Sequence, residues 1–123
     1  MSQCEYCQLP EQYDLLPFQV DHVIAEKHRG QTHESNLAFT CYNGNGHKGS
    51  NIGGRDPEGE ALTALFHPRQ DEWHEHFEWR GAELVGRTPV GRTTVDVLNV
   101  NDRDRVELRR MLIELGLFNT TER

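Results

Sequence analysis

No stretch of this sequence approaches the roughly 18–20 consecutive apolar residues that cross a bilayer, and the N-terminus lacks a charged-then-apolar leader. The expectation is therefore a soluble, intracellular, cytoplasmic protein with no membrane partner. Cysteine is scarce and odd in number, Cys4, Cys7 and Cys41, which argues against a disulfide framework. Positive charge is also short: 13 Lys and Arg stand against 20 Asp and Glu, for a net charge of −7. That deficit counts against holding nucleic acid by bulk electrostatics, which rests on cations displacing counterions from phosphates. A local basic patch can still coexist with an acidic remainder. Internal repeats and low-complexity tracts are absent, and aromatics make up only 8% of the chain.

What is present fits one small domain over residues 1–123. Domains of this size often need a metal or a disulfide as a staple. Cys4 and Cys7, two residues apart and followed by Cys41, look like thiolate ligands for zinc in a reducing compartment. The alternation in Phe18–Val23 predicts a short half-buried strand. The polar stretch 26–35 reads as a loop, Leu37–Phe39 as a second strand, and Asn45 onward as a short helix. Residues 53–60 carry turn chemistry and read as a boundary between a core at 1–56 and an extension at 57–123. In the extension, 76–79 and 83–85 read as strands joined across Gly81, while 93–98 suits strand or helix equally. The last helix is the clearest. Asn101 or Asp102 caps it, Leu108, Met111, Leu112 and Leu115 form its core face, and Gly116 stops it.

The chemistry concentrates in residues 21–48. Asp21 supplies a hard oxygen ligand suited to Mg²⁺ or Mn²⁺, and the imidazole of His22 can take a proton from water. Asn45 can add an amide oxygen to the same ion, and Lys48, one helical turn on, can contact a phosphate. A base, a divalent ion and a cation are the parts that phosphodiester hydrolysis requires. Taken singly, an Asp-His pair is usually a solvent-exposed hydrogen-bonding pair and an Asn-Gly is usually a turn. The order of the pieces is what tells.

That order, Cys4-Glu5-Tyr6-Cys7, Asp21-His22, Asn36-Leu37, Cys41 and Asn45-Gly46-His47-Lys48-Gly49, resembles the HNH (His-Asn-His) endonucleases. The segments Gly49–Ile52, Asp56-Pro57 and Leu65–Arg69, with Trp73 and His76-Phe77, resemble the continuation in one bacterial branch. The resemblance implies an α+β fold: a small ββα-metal finger core with an α/β C-terminal extension. It implies DNA as the partner, cut with a single divalent ion. His22 would be the general base, Asp21 and Asn45 the ligands of Mg²⁺ or Mn²⁺, and Lys48 a neighbour of the scissile phosphate. Asn36 would brace the loop between the strands without touching the ion.

One departure stands out. Relatives with Cys-x-x-Cys usually carry a second such pair for structural Zn²⁺, whereas Gly44 stands here at the fourth position. Zinc held by Cys4, Cys7 and Cys41 with water or His47, weaker zinc binding, and buried thiols without zinc all remain open. Arg69, with His67, is a candidate for the nucleic-acid backbone, against a structural role beside Trp73 or Phe77. His28 and His33 read as solvated, His74 and His76 as packed among aromatics, and Arg87 and Arg92 as turn residues that either contact phosphate or are solvated. Arg103, Arg105, Arg109 and Arg110 read as an exposed helix face paired with Asp102, Asp104 and Glu107. The rival function is a catalytically inactive, zinc-ribbon-like module that binds nucleic acid or protein. A redox role for Cys4 and Cys7 lacks the βαβ context such motifs need.

Overall fold

Strand β1 (Gln19–His22) pairs antiparallel with β2 (Leu37–Thr40), setting Asp21 opposite Ala38 and His22 opposite Leu37, although the expected alternation of burial is missing and Val20 is exposed. This is the first hairpin of the computed structural model, which describes residues 2–120. Helix α1 (Tyr42–Lys48) follows at once. It begins earlier than the expected Asn45 because the Cys41 sulfur caps it, accepting the Gly44 N–H at 3.3 Å. The first half is therefore strand, loop, strand, helix. The loop contains two short 3-10 turns, Glu26–His28 and Glu34–Asn36.

Residues 53–60 depart from the boundary expected there. Gly53–Arg55 is strand β3 and pairs with β4 (Leu62–Ala64), so the turn residues are a hairpin tip. Asp56, nearly buried within that tip, takes a bidentate ion pair from Arg92 at 3.0 and 2.7 Å. The guanidinium holds the Asp56 carboxyl down at about 2. Arg92 thus clamps the hairpin to a helix, where a turn residue either solvated or on phosphate was expected.

The rest comprises a short helix α2 (Trp73–His76), the hairpin of β5 (Phe77–Arg80) with β6 (Glu83–Gly86), α3 (Pro89–Val97) and α4 (Arg103–Glu114). The two strands flanking Gly81 were legible, and the ambiguous 93–98 stretch lies mostly in α3. Thr88 caps that helix by accepting the Gly91 N–H, with Pro89 in its first turn. Gly91 is required by closeness: a Cβ there would sit 2.0 Å from the His76 carbonyl oxygen. The fold is α+β.

Helix α4 corrects two expectations. Val106, Arg109 and Leu112 are buried, Leu108 is half-buried, and Met111 and Leu115 stand 50% and 63% exposed. Arg109 explains the rotation. Its guanidinium donates to the carbonyls of Ala82 (2.8 Å) and Val100 (3.1 Å) and to Asn101 Oδ1 (3.0 Å), and it lies 5.4 Å from the Trp79 ring. A buried cation so engaged satisfies carbonyls that leucine would leave unpaired. Arg105 is likewise drawn in, by a bidentate pair with Asp14 at 3.0 and 2.9 Å.

One cluster of buried residues draws on both halves, joining Cys4, Tyr6, Leu9 and Ala38 to Phe66, Phe77, Leu98, Leu112 and Phe118. No helix among the described residues is long and apolar enough to cross a membrane.

Candidate active site

Residues 4–9 form a tight turn in which Cys4 N–H donates to Leu9 O and Gln8 N–H to Cys4 O. Glu5 N–H donates to Phe39 O, docking this knuckle on β2 and bringing Cys4 and Cys7 to Cys41 at the start of α1. The three sulfurs lie within 4.8 Å of one another and all are buried. The Cys7–Cys41 separation is 4.0 Å, against about 3.8 Å for two sulfurs on one tetrahedral zinc. Donor set and spacing are compatible with a zinc site. Hydrogen bonds from the Cys4 and Cys41 thiols pull the Cys7 thiol well below its ordinary range, and burial pushes Cys4 up. At the missing fourth position, a Cβ on Gly44 would meet the Cys41 sulfur at 3.2 Å, so residue 44 faces the cluster.

A second group lies where the end of β1 meets α1. Gln19 and Asp21 share one strand face, and α1 turns Asn45 and Lys48 towards it. Lys48 is 1% exposed, with its ammonium 3.4 Å from Asp21 Oδ2 and 3.2 Å from His22 O. It therefore lies beneath the site as Asp21's partner, where the sequence suggested a cation reaching for phosphate. The Asn45 carboxamide sits against Asp21, one of its terminal atoms 3.1 and 3.3 Å from the two carboxylate oxygens, while the other meets Gln19 Oε1. Two arrangements share this geometry. Either the amide nitrogen donates to Asp21, or the amide oxygen faces the carboxylate as a second ligand. Cis oxygens in an octahedral Mg²⁺ shell lie about 3.0 Å apart, a spacing that the second arrangement matches and the first does not offer.

His22 extends from the opposite strand face. Its Nε2 is 2.9 Å from Thr32 Oγ1 and 3.8 Å from Glu26 Oε1, and among the described residues nothing hydrogen-bonds its Nδ1. No hydrogen bond or ion pair joins the ring to Asp21 or Asn45. The loop carrying Thr32 is braced by buried Asn36. Its Oδ1 accepts Ile24 N–H at 2.9 Å, and its Nδ2 donates to Ile24 O (3.0 Å) and Gln31 O (2.9 Å). Gly30 fits because a Cβ would lie 1.7 Å from Ile24 O.

Residues 4–51 match the family model for HNH endonuclease. That segment spans the knuckle, the β1–β2 hairpin and α1. The HNH segment contains the thiol cluster, Asp21, His22, Asn36, Asn45 and Lys48. A further match covers almost all of the chain. It is to the Septu protein PtuB of Bacillus thuringiensis, 27% identical over 124 residues, covering 99% of this chain and 46% of that protein. The chain thus spans about half the length of this curated relative. No solved structure matches.

Several residues around the HNH site were not singled out from sequence. Thr32 and Glu26 flank His22, and Gln19 meets Asn45. The spacing offered one signal for each of two: Gln19 is two residues before Asp21, hence on its face, and Glu26 is four after His22. Thr32 needed the folded loop. Arg69 forms a bidentate ion pair with Glu5, its second contact 2.9 Å, and donates to Glu34 O at 3.2 Å. It secures the knuckle to the loop. His67 accepts Arg69 N–H, and burial lowers its pKa. His76 bonds Thr88 Oγ1 at 2.6 Å, and His74 packs edge-on to Trp73.

Proposed function

We propose that this chain is an endonuclease that hydrolyses the phosphodiester bonds of DNA with one divalent ion, Mg²⁺ or Mn²⁺, and a histidine base. The observation that carries the reading is the meeting of Asp21 and Asn45 within an HNH segment, beside the half-buried end of β1 where His22 stands. Asp21 and Asn45 would hold the ion, which supplies charge stabilisation at the leaving oxygen when bound. Lys48 neutralises part of the Asp21 charge and ties the His22 carbonyl, fixing the strand end.

His22 acts as general base through Nδ1. With Nε2–H donating to Thr32 Oγ1, and Glu26 nearby to stabilise the imidazolium, Nδ1 keeps the lone pair that accepts a proton from the attacking water. Asn36 serves this indirectly, by holding the loop that carries Thr32. Cys4, Cys7 and Cys41 would hold a structural Zn²⁺ that fixes the knuckle.

The test is incubation with supercoiled plasmid, with Mg²⁺ or Mn²⁺ and with chelator. We expect nicking or linearisation only with the ion. In Asp21→Ala and Asn45→Ala the ion concentration for half-maximal rate should rise. Cleavage that survives chelation, or an unchanged ion requirement in both variants, would overturn the reading. The rival, an inactive binding module, predicts no cleavage under any ion.

A further inference from the structure

The acidic chain neutralises nearly all of its own cations. Lys48 pairs with Asp21, Arg55 with Glu60, Arg69 with Glu5, Arg80 with Glu78, Arg92 with Asp56 and Glu58, Arg105 with Asp14, and Arg110 with Glu107. Arg109 is buried on carbonyls, and Arg87 donates to His74 O. Among the described residues, the Lys and Arg side chains left without any such partner are Lys27, Arg29 and Arg103. Two of these three lie on the loop immediately after Glu26, the residue 3.8 Å from the His22 ring.

Lys27 and Arg29 are both exposed, and their backbone is fixed. The Glu26–His28 turn is closed by His28 N–H to Ala25 O (2.9 Å), Arg29 N–H to Glu26 O (2.8 Å) and Gly30 N–H to Ala25 O (3.0 Å). Asn36 clamps both sides of it, at Ile24 and Gln31. Between the two cations, His28 borders a groove of about 490 Å³ whose far wall is the β3–β4 hairpin, with Asn51, Gly53, Leu62 and Thr63. Free cations on a rigid loop bind phosphate with little ordering cost. Exposed Glu26 and Glu34 border the same loop and limit the patch to a narrow strip.

The geometry points to the β1–β2 loop as the DNA-backbone grip of this protein, with Lys27 and Arg29 each engaging a phosphate of a duplex lying over the His22 end of β1. This rests on the nuclease reading and names where its substrate is held. Duplex is favoured over single strand because single-strand sites rely on aromatic stacking platforms. The span from Ile24 to Ser35 contains no Phe, Tyr or Trp. The assignment also moves the phosphate contact away from Lys48 and Arg69, which are engaged by Asp21 and Glu5.

The experiment is salt-dependent binding of a short DNA duplex to the full chain carrying His22→Ala, so that cutting does not intrude. Each phosphate contact contributes about 0.9 to the slope of log affinity against log salt. Adding Lys27→Gln and Arg29→Gln should flatten that slope by about 1.8, whereas adding Arg103→Gln should leave it unchanged. Gln removes the charge while keeping a polar, unbranched side chain, and unchanged melting would show that the loop persists. An unchanged slope in the Lys27→Gln, Arg29→Gln protein, while the parent binds duplex, would overturn this inference and leave the nuclease reading standing. Failure of the His22→Ala chain to bind duplex at low salt would remove both. Tighter binding of a single strand of the same sequence, with the same dependence on Lys27 and Arg29, would overturn the duplex assignment.

Discussion

Asn36 uses its whole amide on the loop upstream, accepting from Ile24 N–H and donating to Ile24 O and Gln31 O. Replacing it with alanine removes three hydrogen bonds and strands backbone groups beneath the loop. Asn36→Ala should cost about 2–3 kcal/mol, read from urea unfolding, without raising the ion requirement for cleavage as is expected of Asn45→Ala. A loss of ion response with unchanged stability would contradict its bracing role. That role was legible only through the family pattern, and its partners were not, because nothing local in sequence joins residue 36 to residue 24. Gly44 is the opposite case, since its Cys-x-x-Gly spacing already marked the missing ligand. The structure adds that a Cβ there faces the Cys41 sulfur. Gly44→Cys should therefore raise the melting temperature in zinc and lose the gain in chelator, because metal held by the folded state adds to folding free energy. No chelator-sensitive gain would mean that packing alone holds this corner.

Among the elements, β1, β2, β5 and β6 were all legible as strands, β1 from its alternation, although Val20, the apolar residue within β1, stands 65% exposed. Helix α4 was found in place and in length but with its faces misjudged. A periodicity argument assigns leucines and methionine to the core and arginines to water. It has no means of seeing that Ala82, Val100 and Asn101 offer oxygens only a guanidinium can reach. Leu112→Ala should cost about 2–5 kcal/mol, as for a buried leucine, while Met111→Ala and Leu115→Ala should stay within about 0.5 kcal/mol. Equal losses at 111 and 112 would restore the leucine face. Strand β3 was hidden for a different reason: Gly-Gly-Arg has no strand propensity, and its pairing with Leu62–Ala64 is fixed from outside by the Asp56–Arg92 ion pair.

At the scale of the whole molecule, the net charge of −7 looked like an objection to a DNA enzyme. The structure shows how the charge is distributed. Most cations are consumed in holding hairpins, knuckle and helix together, and those left over lie mainly beside the proposed catalytic histidine. Composition alone could not separate the two groups, because pairing depends on residues as distant as Asp14 and Arg105. The chain matches about half of its relative PtuB, so whatever the remaining length of that protein does has no counterpart among the residues discussed. The central claim is that His22 activates water in an ion-dependent nuclease. It is tested most directly by single-turnover cleavage of plasmid DNA at saturating Mg²⁺ or Mn²⁺, comparing the parent with His22→Ala of equal melting temperature. We expect a loss of about 10²–10⁴-fold, the usual contribution of a general base; cleavage by His22→Ala at the parental rate would contradict it.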